Sequence, residues 1–382
     1  MSQPAGHADD VSDVRAVPQT AVVGIGAVTG YGWGRKHLQQ GLLSGRSAVH
    51  AVPGFSPALP RDQQWVAQVI DDGVDEDGAN RGARAARFAV REAVGNAHDR
   101  GWRAGRVVGV VHCLVPEQAG HMPDPVVADI MAEFDLHGPA VGVTAMTAST
   151  IAGLLTAKTW IEGGTVDDVV VVTGDLSASP ERCAMLRDVG ILQLDGPALD
   201  RCRPFQEGSR GAPVGEATVA FVVSNHADRA YATIRGGAMT YDVSHTAPLS
   251  LDAGQVRRTF SEALDRAGAD AAEVAYLNAH GSGIPGCDVV EAAVFDDLFP
   301  AGANLFSVKP LVGHCQSAAG AVELCASLYG FETGVIPAPP RVAPGHRRLL
   351  DGPTAAADGL VVKASLGMSG HNAVVVLAQP TT

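Results

Sequence analysis

Short runs of β-branched and other apolar residues alternate along the chain with stretches whose apolar residues recur at three- and four-residue spacing. The first pattern predicts buried strands, and the second predicts helices that cover them. Predicted strands in the first half are Ala21–Val28, Arg106–His112, Asp168–Gly174 and Thr218–Ser224, and in the second half strands begin at Ala232 and Asn372 and end at His280 and Val308. Predicted helices are Ala83–Asn96, Thr150–Glu162, Gln255–Ala267, Val289–Phe299 and Ser317–Phe331.

Continuous apolar strands separated by helices predict sheets that are covered on both faces, and therefore an α/β layered fold. The order of elements in the first half, strand–helix–strand and then a closing pair of strands, is similar in the second half. We therefore expect two similar halves, residues 21–228 and 229–380, each with a mixed sheet covered by helices. Residues 1–20 are expected to form a polar, acidic and flexible leader that lacks the features of a signal peptide.

Composition narrows the classes of function. The chain has 382 residues, of which 46% are hydrophobic, and a formal net charge of −13, which argues against a nucleic-acid-binding surface. No apolar run approaches the roughly 20 residues that span a bilayer, so no membrane partner is expected. The six cysteines are scattered without a CxxC pair, which predicts free thiols in a reducing cytoplasm and no bound metal.

Three glycine-rich segments place polar side chains where predicted strands and helices meet. NAHGSGIPGCD puts His280 at the carboxyl end of a strand, where α/β sheets bind ligands. SVKPLVGHCQSAAG contains Lys309 and His314 just before a helix, and SLGMSGHNAVVVL is a turn that leads into the last strand. A single histidine at a strand end is explained equally well by a structural role. Two histidines beside glycines, with a lysine in a chain that has few, indicate a site.

Six segments together resemble the β-ketoacyl-acyl-carrier-protein synthase (ketosynthase) family, which has the thiolase fold. They occur in the order of the family: VVGIGAVTGYG, GLLSGRSAV, CRPFQEGSRGAPVGEA, NAHGSGIPGCD, KPLVGHCQSAAGAVE and SLGMSGHNAVVVL. The resemblance extends from about Val22 to Leu377, which is nearly the whole chain. It implies thiolase-like halves, no bound cofactor, and decarboxylative Claisen condensation of acyl chains that acyl carrier protein presents on phosphopantetheine.

The resemblance assigns roles to residues of these segments. His280 and His314 match the two catalytic histidines, which in the family donate hydrogen bonds to the malonyl thioester carbonyl and stabilise the enolate. Lys309 and Glu323 match a lysine and a glutamate near this pair, and a purely structural buried ion pair is the alternative for them. Asp288 matches a position with a supporting role.

The match to the family fails at the nucleophile. Ketosynthases place a cysteine at a helix start, where backbone N–H groups favour its thiolate, whereas VTAMTAST places Met146 there. A methionine sulfur has no proton to lose and cannot form a releasable acyl-enzyme. Substrate-binding positions differ as well, because Ser282 and Ile284 stand where the family has two threonines that contact the pantetheine arm. Met368 replaces a phenylalanine of the gating loop.

This combination resembles the chain length factor, the cysteine-less subunit of type II polyketide systems. The resemblance implies a heterodimer with a Cys-containing ketosynthase, whose acyl tunnel this chain helps to shape, with Met146 as the flexible apolar residue of a silenced site. Two alternatives stay open. Met146 fills a core hole in a degenerate enzyme that has no partner, or the chain is a stand-alone enzyme, either a malonyl-carrier-protein decarboxylase or an atypical ketosynthase.

A stripe of arginines lies on one predicted helix, at Arg81, Arg84, Arg87 and Arg91. Carrier proteins are acidic, so this stripe would suit the docking of a carrier protein. A solvated helix face with local ion pairs is the simpler explanation.

Overall fold

Fifteen strands and ten α-helices are formed by the residues that the computed structural model describes, which are 19–53, 55, 65–70, 81–114, 124–188, 190–191, 196–243, 252–299, 302–367 and 370–380. The strands are β1 Ala21–Thr29, β2 Gly32–Trp33, β3 His50–Ala51, β4 Trp65–Val66, β5 Val108–Cys113, β6 Ala140–Val143, β7 Asp168–Asp175, β8 Ala217–Ser224, β9 Ala232–Tyr241, β10 Val274–Asn278, β11 Asn304–Phe306, β12 Val335–Ile336, β13 Thr354–Ala355, β14 Leu360–Leu366 and β15 His371–Ala378. The helices are α1 Arg35–Leu43, α2 Arg81–Asp99, α3 Pro125–Glu133, α4 Ser149–Glu162, α5 Pro180–Asp188, α6 Ala198–Arg201, α7 Ala253–Ala267, α8 Pro285–Leu298, α9 Lys309–Val312 and α10 Ala319–Thr333.

The main strands belong to one continuous 11-stranded sheet, whose two halves, the first and the second sheet, have the same strand order and the same directions. The first sheet runs β6-β5-β7-β8-β1, and the second runs β11-β10-β14-β15-β9. In each sheet the first three strands are parallel and the following neighbours are antiparallel. The sheets join where β1 pairs with β9, at Ala21 with Thr233 and Val22 with Ala232. The predicted mixed sheet in each half is confirmed, and the boundary between residues 228 and 229 stays a prediction.

Two helices, α4 and α10, form a layer between the sheets. The inner faces of both sheets pack against these helices in one apolar cluster. On the outer side, α2 and α3 cover the first sheet, and α7 and α8 cover the second. Residues Ala319–Gly330 of α10 are all buried, as expected for a helix that is apolar nearly all round. The layers therefore follow the order α–β–α–β–α, which confirms the predicted layered fold.

The predicted helices agree with the observed ones apart from their ends. The helix predicted from Val289 begins at Pro285, because a proline is well suited to the first turn of a helix. The helix predicted from Ser317 begins with a 3₁₀ turn, Gln316–Ala318, and continues as α10. In the described part of the chain, no helix combines the length and the apolar character needed to cross a bilayer.

Helix α2 lies directly against β1 because two glycines of that strand leave room for it. A Cβ atom on Gly26 would lie 1.9 Å from the carbonyl oxygen of Ala89, and one on Gly24 would lie 2.3 Å from that of Ala93. Any side chain at these positions would therefore push the helix away from the sheet.

We predict that Gly26→Ala lowers the free energy of unfolding by about 1–3 kcal/mol, the usual range for overpacking, because the neighbouring atoms are backbone and cannot rotate away. Urea denaturation of the purified chain measures this change. Gly95→Ala is the matched control on α2, since a Cβ there meets nothing within 4 Å and alanine should stabilise the helix by about 0.5–1 kcal/mol. Equal stability of the Gly26→Ala variant and the wild type would contradict the close approach of α2 to β1.

Candidate active site

Met146 lies in a strained turn that leads into the central helix α4. Its φ angle of 51° is in the left-handed region, which residues other than glycine rarely adopt. The hydroxyl of Ser149 stabilises the turn, because it accepts a hydrogen bond from the backbone N–H of Ala145 at 2.9 Å and donates to the carbonyl of Met146 at 2.7 Å. The 3₁₀ turn Met146–Ala148 then continues into α4, so the structure places Met146 at a helix start.

The second half of the chain repeats this turn at the start of the other central helix. Gln316 has a φ angle of 48°, and its 3₁₀ turn continues into α10. The Nδ1 atom of His314 accepts a hydrogen bond from the backbone N–H of Gln316 at 3.0 Å. A ring nitrogen that accepts carries no proton, so the proton of the neutral His314 ring is on Nε2, which is free to donate.

His280 follows β10, and carboxylates of α8 hold its loop. Glu291 accepts hydrogen bonds from the backbone N–H groups of His280 at 2.7 Å and Gly281 at 2.9 Å. Asp288 accepts from Phe205 in a neighbouring loop at 3.0 Å. The His280 and His314 rings are thereby brought together, with their centroids 5.9 Å apart and their planes at 77°.

Three buried charged side chains lie behind the histidines. The ammonium group of Lys309 donates to Glu323 and to the carbonyl of His280, and that of Lys363 lies 2.8 Å from the second oxygen of Glu323. All three side chains are at most 1% exposed, and burial lowers the pKa of Lys363. The buried pair considered for Lys309 and Glu323 is therefore present, and the same ammonium group also holds the His280 loop. The sequence reasoning missed Lys363, although a lysine inside an apolar strand was an available signal.

The surroundings keep both imidazoles neutral. Burial lowers the pKa of His314 to about 3, and the positive charge of Lys309 adds to this effect. Burial and the same lysine hold the pKa of His280 well below its ordinary value. A neutral imidazole retains one N–H donor, which is what the stabilisation of a developing oxyanion requires. Burial also raises the pKa of Asp288 to about 7.

The space beside Met146 and His314 is a cavity of only about 20 Å³. Its walls also include Asp175, Arg182 and Ile191. A cavity of this volume holds about one water molecule. Asp175 lies 3.8 Å from Arg182, and burial raises the pKa of this carboxyl. The sequence reasoning missed both charged residues, although the position of Asp175 at the carboxyl end of an apolar strand was a signal that could have found it.

The residues predicted to contact substrate are engaged elsewhere in the described structure or lie outside it. The hydroxyl of Ser282 accepts from the backbone N–H of Ile284 at 3.2 Å and donates to the Asp288 carboxylate at 3.4 Å. Ile284 packs against a small apolar cluster that includes Val66. Met368 lies outside the described residues. Contact of these residues with substrate stays a prediction.

The cysteines lie in surroundings that do not favour a reactive thiolate. All six are buried, and none of them forms a disulfide in the described part of the chain. Burial raises the pKa of Cys113, Cys183 and Cys287 to about 12, so these thiols stay protonated. Cys315 donates its S–H to the carbonyl of Val312 at 3.5 Å, and burial raises the pKa of this thiol as well.

The two sheets, the two central helices with left-handed turns and the paired histidines define a thiolase-like ketosynthase architecture. The sequence profile of the β-ketoacyl synthase N-terminal domain matches residues 63–229, and that of the C-terminal domain matches residues 231–342. The chain belongs to the β-ketoacyl synthase family.

Polyketide ketosynthases are among its relatives. The tetracenomycin polyketide synthase ketoacyl synthase alpha subunit of Streptomyces glaucescens is 27% identical over 372 residues, which cover 84% of this chain and 87% of that protein. The ishigamide ketosynthase/chain length factor has a solved structure with a TM-score of 0.80 at 23% identity, covering 96% of this chain and 100% of that one. The AntDE:AntF structure, a type II acyl-carrier protein in complex with its ketosynthase, gives a TM-score of 0.83 at 18% identity with the same coverage. These structural likenesses confirm the predicted thiolase-like fold.

We predict that Glu323→Gln lowers the free energy of unfolding by about 3–5 kcal/mol, because it leaves two enclosed lysines without their carboxylate. Urea denaturation compares this variant with the wild type. Glu332→Gln on the same helix is the control, since its ion pair with Arg100 is partly exposed and should contribute less than about 1 kcal/mol. Similar losses in the two variants would show that Glu323 is not the charge on which the cluster depends.

Proposed function

We propose that this chain is a non-condensing partner subunit of a Cys-containing ketosynthase, with a role similar to that of a chain length factor in type II polyketide or fatty-acid-like biosynthesis. The observation that carries the proposal is Met146 in a turn that keeps the geometry needed to present a nucleophile. A left-handed residue other than glycine costs about 1–2 kcal/mol. The chain keeps this turn although a methionine sulfur cannot attack a thioester, which favours a scaffold retained for assembly.

The size of the site argues against chemistry by this chain alone. An acyl-enzyme needs room for its acyl group beside the nucleophile, whereas the cavity at Met146 has a volume of about 20 Å³. Asp175 and Arg182 border that cavity, and an alkyl chain beside them would desolvate charge without replacing its hydrogen bonds. The same lack of room disfavours the alternative of a malonyl-carrier-protein decarboxylase, because a malonyl group has several non-hydrogen atoms. The retained histidines are then structural groups of the inherited site.

The edge strand β6 supports a partner surface. The carbonyl of Pro139 accepts a hydrogen bond from β5, and that of Val143 accepts one from the residue that follows β5. By alternation, the N–H and C=O groups of Ala140 and Gly142 point to the free edge. In the described part of the chain, β6 pairs only with β5. Ala140 and Gly142 are exposed. An uncovered strand edge is a ready template for a strand of another subunit.

The proposed partners follow from the relatives. One solved structure of the same fold is a ketosynthase/chain length factor, and another is a ketosynthase with its acyl-carrier protein. We therefore propose a cytoplasmic heterodimer of this chain with a Cys-containing ketosynthase, which receives acyl chains from the phosphopantetheine arm of an acyl carrier protein.

The arginine stripe on α2 is not part of the support for carrier-protein docking. Arg81 lies 2.6 Å from Glu216, and Arg87 lies 3.8 Å from Asp129 of α3. Arg91 pairs with Glu133, also on α3. These contacts favour the simpler explanation, in which the stripe forms local ion pairs.

We predict that Met146→Cys creates a thiol that iodoacetamide alkylates faster than any native cysteine. Residue 146 borders a cavity at a helix start, where the helix dipole favours a thiolate by about 0.3–1 kcal/mol, whereas the native thiols are buried. Peptide mass spectrometry over time measures the rates. Met185→Cys is the control at an exposed site, and its rate should fall more steeply between pH 8.5 and pH 6.5. A new thiol no more reactive than the native ones would contradict the assignment of position 146.

We predict that co-expression with a cognate Cys-containing ketosynthase gives a stable 1:1 complex, and that Ala140→Pro weakens this complex. Proline removes an outward N–H donor of β6 that bonds to no described residue of the isolated chain, so the chain itself should fold normally. Native mass spectrometry and co-purification measure the complex. Ala140→Thr is the control, because threonine keeps the backbone donor and suits a strand.

An activity assay of the chain without its partner distinguishes the partner-subunit proposal from the alternative of a stand-alone enzyme. Incubated with acyl- and malonyl-carrier protein, it should form no β-ketoacyl product and release no carbon dioxide. Turnover with acyl label on a native cysteine would favour a stand-alone ketosynthase. A monomer that binds no ketosynthase encoded beside it would overturn the partner-subunit proposal.

A further inference from the structure

A second and larger pocket, of about 430 Å³, lies at the carboxyl ends of β5 and β7 and beside the starts of α2 and α3. Apolar residues that line it include Ala86, Leu114 and Leu176, and polar ones include His112 and Thr218. Its volume is in the range of small-molecule sites, and its composition, mostly apolar with a few polar groups, is typical of them.

The alternation of side chains along the strands places this pocket on the opposite face of the sheet from the histidine site. On β5, Val111 packs in the central cluster around α4, whereas Val110 packs against the outer helices, so His112 also faces outward. On β8, Val222 packs against the outer helices, and Thr218 shares its face. The pocket is therefore separate from the cavity at Met146, although Asp175, at the end of β7, borders both spaces.

His112 is held in one orientation by Asp124. Its Nδ1 lies 2.5 Å from one carboxylate oxygen of Asp124, whose other oxygen accepts from the backbone N–H groups of Val126 at 3.0 Å and Val127 at 3.3 Å. Burial opposes ionisation of Asp124, but the hydrogen bonds from His112 and from α3 outweigh it and lower the pKa of this carboxyl. The ionised carboxylate therefore accepts a hydrogen bond from Nδ1–H, and Nε2 of the neutral ring, which bonds to no described residue, is left as an acceptor at the pocket.

Thr218 supplies a second unused polar group. The residue is 1% exposed, and among the described residues its hydroxyl has no hydrogen-bond partner. A buried hydroxyl without a partner is unfavourable, and such groups are rare in native proteins. Because β8 lies two strands from β5, the two polar groups are separated by roughly 10 Å across the sheet.

The charges around the pocket select against anions. The guanidinium of Arg81 is already engaged by Glu216 at 2.6 Å, by the carbonyl of Leu176 at 2.8 Å and by the carbonyl of Val69 at 3.0 Å. Asp124 and Asp175 add carboxyl groups, and no other cationic side chain lines the pocket among the described residues. The two carboxyl groups would repel a bound phosphate or carboxylate, and the Arg81 guanidinium is already paired and cannot neutralise it.

We propose that this pocket binds an uncharged, mostly apolar molecule that carries hydroxyl groups at two separated points, one donating to Nε2 of His112 and the other accepting from the hydroxyl of Thr218. The apolar walls would take the body of the molecule. The pocket would be a ligand site distinct from the histidine pair, and its occupancy does not rest on the proposed partner-subunit function.

The test uses the full chain and 2,6-dihydroxynaphthalene, a flat apolar probe with a hydroxyl at each end, followed by its fluorescence. We expect saturable binding. Thr218→Val and His112→Phe should each weaken it by about three- to tenfold, the loss expected for one hydrogen bond. Thr173→Val is the matched control, because Thr173 lies on the other face of β7, bonds the carbonyl of Ser317 and should leave binding unchanged.

Two further readouts make the outcome decisive. Thr218→Val should raise the melting temperature while it weakens binding, because it removes an unpaired buried hydroxyl; this combination separates loss of a ligand contact from damage to the fold. The anion 6-hydroxy-2-naphthoate should bind at least tenfold more weakly than the neutral probe. The proposal is overturned if the neutral probe shows no saturable binding, if Thr218→Val and His112→Phe both leave its affinity unchanged, or if the anion binds as well.

Discussion

The enclosed carboxylate of Glu323 connects the elements that form the histidine site. It lies on the central helix α10 between an ammonium group from α9 and another from β14, and Lys309 also donates to the carbonyl of His280 at the end of β10. Three parts of the chain that are distant in sequence, β10, α9 with α10, and β14, therefore meet at one cluster of charges. A buried ion pair is weak evidence for net stability, but each charge that it contains needs its partners in place because water does not reach them. This requirement fixes the position of His280 whether or not the site performs chemistry.

The turns at Met146 and Gln316 show which parts of the ketosynthase design this chain has kept. Both residues have left-handed backbones, and both turns start helices of the central layer. Such strain persists only where the surroundings impose it. At the first turn the Ser149 hydroxyl bonds the N–H of Ala145 and the carbonyl of Met146. These bonds hold the turn, and they do not depend on the side chain at position 146. The turn is therefore intact although position 146 carries a methionine, which agrees with the proposed role of the chain as a partner subunit.

The two faces of the first sheet border spaces of very different size. On the central face, close packing leaves a cavity for about one water molecule beside His314. On the outer face the ends of β5 and β7 leave a pocket of about 430 Å³ with unused polar groups. Asp175 separates the two spaces at the carboxyl end of β7. A sheet covered by helices on both sides allows this arrangement, because alternate residues of one strand end in different environments.

Local patterns in the sequence predicted eight of the ten main strands and the five longest helices, because a buried strand or an enclosed helix requires apolar residues at its own characteristic spacing; β6 and β14 were not predicted. Motifs at element ends placed His280, His314 and Met146 at junctions, since glycine and proline mark those turns directly. The roles of Lys363 and of His112 with Asp124 were decided only by the tertiary structure. His112 sits in a segment that was predicted as an ordinary strand, and no element was predicted around Lys363 or Asp124. The order in which distant strands pair, together with the face on which each side chain lies, decides which charged groups and ring nitrogens come into contact. The spacing of residues along one segment determines neither of these.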